Sequence, residues 1–294
     1  MSVAAALSGF HKSYRARLGS TAVLRDVNFE ARSGEFVAIV GASGSGKTTL
    51  FRALAGLDLP DSGRVTLLGE DLGTLTPRAR AALRGARIGI IAQEPTLLMD
   101  ATVLRNVALP LSYAGTVPSS RPARALSALR SVRLEGLASQ RCRDLTKDQR
   151  QRVQIARALV TGPELIVADE PFAALTRESK NLVCSLFADQ RGAGRTLIVI
   201  DQDLLATELA DSCYLLEDKI LAVHPLMGER EAVVEKEDVD DPYQMLLEAE
   251  EEAKTIFAYP IDWTLAADEL GIPIVFSIDE ALAGNFVKEG WWRR

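Results

Sequence analysis

The sequence predicts an α/β protein in which helices cover both faces of a parallel sheet. Continuous apolar runs occur at 36–40, 88–92, 165–168 and 196–200, and helical patterns separate them. Such runs are typical of strands that are buried on both faces, as in a parallel sheet. Residues 103–160 are mostly helical in pattern, with breaks predicted at Pro110, 115–118 and Pro122.

A glycine-rich loop joins the first of these apolar runs to a helical pattern. Residues 41–49 fit G-x-x-x-x-G-K-[ST], the phosphate-binding loop, in its expected position between a strand and a helix. Backbone N–H groups and the positive end of the helix dipole surround phosphate oxygens in such a loop. The motif predicts a nucleotide site made by Gly41, Ala42, Ser43, Gly44, Ser45, Gly46, Lys47, Thr48 and Thr49. Lys47 is expected on the β- and γ-phosphates and Thr48 on Mg²⁺.

Two carboxylates end the apolar run at 165–168. Asp169 is placed to hold Mg²⁺ opposite Thr48, directly or through water. Glu170 is placed to orient or deprotonate an attacking water.

The charge distribution divides the chain into two parts. The net charge is −6, but residues 225–294 hold 17 acidic and 6 basic residues, whereas 1–224 are mildly basic. We therefore expect a body at 1–224 and an acidic extension at 225–294 that either packs on the body or docks on a partner. Few basic clusters with aromatics occur, so nucleic acid is not an expected partner. The sequence predicts no membrane span and no secretory signal, and the scattered Cys142, Cys184 and Cys213 indicate reduced thiols in the cytoplasm.

Residues 3–224 resemble the ATP-binding cassette (ABC) family of transporter ATPases. The resemblance is carried by the phosphate loop, Asp169-Glu170 and the helix pattern at 149–159. The stretch from 56–58 through 106–110 is weakly similar to the lipoprotein-release, macrolide-export and cell-division branch. The resemblance implies an antiparallel N-terminal β subdomain and a helical subdomain at about 94–160. It also implies that Gln93 contacts Mg²⁺ and links the site to a membrane subunit, and that Tyr14 stacks on adenine; the alternative for Tyr14 is an ordinary aromatic.

Three segments depart from the family pattern. The family signature is Leu-Ser-Gly-Gly-Gln, and here Asp148 and Lys147 stand at its glycines in the segment Leu145, Thr146, Lys147, Asp148 and Gln149. Asp148 is expected to bring negative charge toward the partner's ATP, with Lys147 as a possible offset. Thr176 replaces the aspartate that ends the D-loop, and Gln202 replaces the switch histidine. Gln202 still has a donor for a γ-phosphate but cannot become cationic.

The resemblance implies a subunit that binds and hydrolyses ATP with Mg²⁺. In the family, two cassettes enclose two ATP molecules, each between one cassette's phosphate loop and the other's signature. The preserved site and the altered signature therefore predict an asymmetric heterodimer with a cassette whose signature is intact. The dimer would dock on transmembrane permease subunits at the inner face of the cell membrane. The alternative is a cassette that binds ATP as a structural or regulatory switch with negligible hydrolysis.

Overall fold

A computed structural model describes residues 2–16, 19–202 and 205–223. The extension at 225–294, with the role expected for it, lies outside the described residues. The strands are β1 (Val3–Ala16), β2 (Gly19–Arg32), β3 (Phe36–Val40), β4 (Ser62–Leu67), β5 (Glu70–Asp71), β6 (Ile88–Ile91), β7 (Leu165–Asp169), β8 (Thr196–Asp201), β9 (Ser212–Glu217) and β10 (Ile220–Val223). The helices are α1 (Lys47–Leu54), α2 (Pro77–Arg87), α3 (Val103–Tyr113), α4 (Arg121–Ser131), α5 (Lys147–Leu159), α6 (Arg177–Gly192) and α7 (Leu205–Leu209).

The central sheet has six strands in the order β10-β9-β3-β8-β7-β6. All neighbouring pairs are parallel except β10 with β9. Every residue of β3, β7 and β8 is buried, which explains their continuous apolar runs. The predicted parallel sheet is confirmed, and its carboxyl edge places the ends of β7 and β8 beside the phosphate loop.

A second, antiparallel sheet is formed by four strands between residues 3 and 71, in the order β2-β1-β4-β5. Helix α1 lies between the two sheets, because Leu50 and Leu54 pack in one apolar cluster with Phe10 of β1 and Val167 of β7. This packing holds α1 in place, and α1 is the helix that begins within the phosphate-loop motif. The antiparallel subdomain expected from the family resemblance is therefore present.

The helical region between β6 and β7 contains α3, α4 and α5, which share a core with the other face of the central sheet. The break predicted at Pro110 is wrong, since α3 continues to Tyr113. Pro110 lies in the last turn of the helix, and the one bond that it cannot make would run back to the preceding turn. The turn that follows keeps its bonding, because the Ala114 amide donates to the carbonyl oxygen of Pro110 (3.0 Å). The break predicted at 115–118 is confirmed, because these residues lie between α3 and α4. Pro122 does not interrupt a helix, since it stands in the first turn of α4.

Among the described residues, no helix combines the length and the apolar character that crossing a membrane requires. The three cysteines are free thiols, two of them buried.

Candidate nucleotide site

The phosphate loop has the backbone that its glycines allow. Gly44 and Gly46 have φ values of 81° and 110°, in the left-handed region that residues with a side chain rarely adopt. A Cβ built on Gly44 would meet nothing within 4 Å, so the backbone is open to a ligand there. The Ser45 hydroxyl is buried and has no hydrogen-bond partner among the described residues. An accessible backbone and a buried unpaired hydroxyl both fit a bound phosphate.

Lys47 connects this loop to the carboxyl edge of the sheet. It is the first residue of α1, and its side chain is only 6% exposed. The Nζ atom donates to the carbonyl oxygens of Gly41 (2.7 Å) and Ala42 (3.0 Å). It also lies 3.8 Å from Glu170 Oε1. The lysine and the glutamate predicted from separate motifs are thus neighbours in the fold.

Glu170 is held by two glutamines. Its φ of 44° is unusual for a residue with a side chain, and its amide donates to the carbonyl oxygen of Ile200 (2.8 Å). Gln93 Nε2 donates to Glu170 Oε2 at 2.7 Å, and Gln202 Nε2 donates to Oε1 at 2.5 Å. Three loops after three different strands therefore meet at one carboxylate.

Asp169 lies beside Thr48 at the end of β7. Burial, and secondarily the charge of Glu170, raise the pKa of Asp169 to about 6, although Lys47 and a hydrogen bond from Thr48 oppose the shift. No group of three or more His, Cys, Asp or Glu side chains in the described ranges is arranged to hold a metal by itself. A hydroxyl and one carboxylate fit Mg²⁺, which takes oxygen ligands and usually completes its shell with substrate phosphates and water.

Tyr14 lies near the end of β1 and is 41% exposed. Its hydroxyl is 3.4 Å from Asp58 Oδ2, and Lys12 Nζ lies 5.9 Å from the centre of its ring. Asp58 follows α1, so the tyrosine hydroxyl lies toward the end of that helix opposite the phosphate loop. The exposure of the ring leaves it accessible, and stacking on adenine stays a prediction.

The segment that aligns with the family signature forms the start of α5. Thr146 and Gln149 make a reciprocal capping box, and Lys147 is exposed at the first helical position. Asp148 Oδ2 accepts from Arg152 Nε (2.9 Å), and Oδ1 accepts from the Thr176 amide (3.0 Å). Arg152, and not Lys147, is thus the cation paired with Asp148.

The ionisation of Asp148 reflects these contacts. Burial raises the pKa of Asp148, but hydrogen bonds from Thr176 and Ser179 and the charge of Arg152 outweigh it and leave the pKa below its ordinary value. Asp148 is therefore a carboxylate whose charge is engaged within its own chain.

Sequence reasoning did not single out the polar residues of α5 that face these loops. Gln151 and Gln154 are completely buried. The signal available in the sequence was their spacing of three in a helix, with Gln154 set between the apolar Val153 and Ile155.

The glycine loop, Lys47 and the Asp169-Glu170 strand end, on a parallel sheet, define a P-loop nucleotide-binding protein. A sequence model of the ABC transporter family matches residues 24–173. The chain belongs to the ABC transporter family, and to its ATP-binding cassettes.

Two solved structures of the ATP-binding cassette MJ0796 are similar to this chain. One is a dimer in a post-hydrolysis state bound to ADP and phosphate; it is 30% identical, with a TM-score of 0.72, over 75% of this chain and 97% of the other. The second is described as a dimer of a bacterial ABC transporter cassette; it is 31% identical, with a TM-score of 0.71, over 74% of this chain and 96% of the other.

Proposed function

We propose that this chain is the ATP-binding and hydrolysing subunit of an ABC transporter-type membrane complex. Cassettes of this family are ATPases that bind ATP with Mg²⁺ and work as dimers with transmembrane subunits. The observation that carries the proposal is the convergence of Lys47, Asp169 and Glu170, with Glu170 Oε1 3.8 Å from the lysine.

The proposed chemistry assigns one task to each group. Loop N–H groups and Lys47 bind the β- and γ-phosphates, while Thr48 and Asp169 hold Mg²⁺, which neutralises charge on the phosphates when bound. Glu170 accepts the proton of a water that attacks the γ-phosphorus. The bond from that phosphorus to its bridging oxygen breaks, and ADP and phosphate leave. Gln93 and Gln202 orient Glu170 through the hydrogen bonds described above.

We assign the second cassette of the dimer to a different chain. In a symmetric dimer both ATP molecules would face Lys147 and Asp148 in place of glycines. A side chain at these positions hinders the close approach of backbone to phosphate that glycine permits. The exposure of Lys147 at the start of α5 supports this proposal. The partner supplies an intact signature to this chain's site, and the partner's own site turns over more slowly.

The proposal also includes membrane subunits and a position at the inner face of the membrane. Leu98 and Met99 follow the Gln93 segment and are 51% and 36% exposed. Exposed apolar side chains five and six residues after Gln93 in the chain suit docking of a membrane subunit. Tyr14 is proposed to stack on adenine.

The test is purification of the native complex, mass spectrometry of its chains and measurement of phosphate release. The proposal expects a membrane protein with several spans, a second cassette and hydrolysis that stops when Glu170 is replaced by glutamine. The second candidate, an ATP-dependent switch, is favoured by the side chains at the signature. It expects Mg-ATP binding in the same complex with no hydrolysis attributable to Glu170.

A further inference from the structure

One face of α5 carries a row of polar side chains spaced three residues apart. A helix places such positions along one inclined ridge. We define the polar ridge as Asp148, Gln151, Gln154 and Arg157. The ridge faces two segments of the site: the Gln93 loop, residues 92–96, and the Glu170 turn, residues 170–176.

The N-terminal half of the ridge holds both ends of the Glu170 turn. Gln151 Nε2 donates to the carbonyl oxygen of Pro171 (3.1 Å), directly after Glu170. Asp148 Oδ1 accepts from the amide of Thr176 (3.0 Å), where α6 begins. The position of this turn therefore depends on the position of α5.

The C-terminal half of the ridge closes the Gln93 loop. Gln154 Nε2 donates to the carbonyl oxygen of Ala92 (2.6 Å), and its Oε1 accepts from the amide of Thr96 (3.0 Å). Arg157 donates to the carbonyl oxygen of Thr96 (2.8 Å). Gln93 lies between the two residues that Gln154 joins, and its side chain reaches Glu170.

We propose that Asp148 and Gln154 are positioning residues that set the place of Glu170 relative to Gln93. The proposal rests on the hydrolytic function proposed above. Because α5 also begins at the signature segment, a shift of that segment against a partner's nucleotide moves both loops together. Asp148 then couples the signature segment to the Glu170 turn, in addition to standing where the family signature has a glycine. Its carboxylate holds the Glu170 turn, and the amide of Gln154 holds the Gln93 loop.

The first test is amide hydrogen exchange in the full chain. Gln154→Met keeps the side-chain length but removes the amide, so faster exchange is expected at Thr96, whose amide donates to Gln154 Oε1. Asp148→Ala should do the same at Thr176, whereas Asp148→Asn keeps an acceptor and should keep most of the protection. Exchange at these sites equal to wild type in both Gln154→Met and Asp148→Ala would overturn the proposal.

The second test separates positioning from general stability, using the assembled complex. Gln154→Met should lower kcat roughly tenfold to a hundredfold with the ATP dissociation constant changed less than about twofold. The control is Arg80→Met, which removes hydrogen bonds from α2 to the carbonyl oxygens of Leu72 and Leu75 (3.1 and 3.0 Å). It should lower the melting temperature while kcat stays near wild type. An equal fall of kcat in both variants would contradict the positioning role.

Failure of the proposed function would give a different experimental result. The wild-type complex would then release no phosphate that depends on Glu170, while the exchange pattern would still report whether the ridge holds both loops. In that case, exchange at Thr96 and Glu170 decides the proposal, because both amides are hydrogen-bonded. Faster exchange at Thr96 in Gln154→Met and at Glu170 in Asp148→Ala supports it, and no change at either contradicts it.

Discussion

The phosphate loop and the start of α5 are both N-terminal ends of helices, but they are built differently. At the phosphate loop, Gly44 is open and Gly46 caps α1 in a left-handed conformation. At α5, a capping box closes the helix end, Lys147 projects into solvent and Asp148 turns toward Thr176. The first end presents free backbone to an anion. The second uses its polar groups within the chain.

This difference supports the proposal that the two helix ends have different tasks in the dimer. The phosphate loop, Asp169 and Glu170, which are proposed to serve the chain's own nucleotide, fit the family motif, and Gln202 is the exception. Lys147 and Asp148, which are proposed to face a partner's nucleotide, do not fit it. The comparison therefore separates what this chain does for itself from what it supplies to a second cassette.

Replacing Glu170, the proposed catalytic base of this chain's own site, should have the largest effect on turnover. Glu170→Gln keeps the shape and the contacts with Gln93 but cannot take a proton, so turnover should fall by about 10²–10⁴-fold with ATP still bound. Phosphate release from the complex measures this. Glu178→Gln is the control, because that carboxylate is 83% exposed and pairs with Arg133 on the surface. Wild-type turnover in Glu170→Gln would assign hydrolysis to the partner's site.

Removing the Lys47 side chain should weaken Mg-ATP binding, and this effect should be smaller than that of Glu170→Gln on turnover. Lys47→Ala removes charge-assisted contacts to phosphate worth about 1.5–3 kcal/mol, or roughly tenfold to a hundredfold in affinity. Titration calorimetry with Mg-ATP measures the change, and Arg130→Ala, which removes an exposed cation on α4, serves as control. Equal affinities of wild type and Lys47→Ala would place the nucleotide elsewhere.

The raised pKa of Asp169 predicts that the stability of the folded protein depends on pH. Its pKa is raised to about 6 in the folded state, so folding favours its protonated form. Asp169 therefore contributes most to the free energy of unfolding below pH 4. This contribution is lost as the pH rises to about 6, and the loss is about 3 kcal/mol at most.

Urea denaturation between pH 4 and 7, without nucleotide, measures that loss as the difference between wild type and Asp169→Asn. Mg²⁺ competes with the same proton, so stabilisation by Mg-ADP should increase over the same range in wild type. A difference in stability that does not change with pH would contradict the assignment.

The smallest effect is expected at Lys147. Lys147→Gly removes the exposed side chain and costs about 0.5–1 kcal/mol of stability at the helix start. Turnover should rise at the partner's site and stay unchanged at this chain's own site. Site-specific turnover is measured by combining the variant with a partner whose own catalytic carboxylate is replaced by glutamine, and then with a wild-type partner. A fall at both sites would show that Lys147 assists rather than hinders.

The sequence predicted the features that depend on local pattern. Buried strands such as β7 and the glycine loop have residue types dictated by burial and by backbone conformation, so both could be found without coordinates. The contact between Asp148 and Thr176 could not, because the two residues are 28 positions apart in the chain. The extension of α3 past Pro110 was also missed, since a proline near a helix end costs little when packing holds the helix.

Phosphate release by the chain alone and after addition of a cassette with a Leu-Ser-Gly-Gly-Gln signature tests the asymmetry most directly. We predict slow hydrolysis by the chain alone and faster hydrolysis with the added cassette, with the increase lost in Glu170→Gln. Brisk hydrolysis by a complex whose cassettes are two copies of this chain, with residues 145–149 unaltered, would contradict the account.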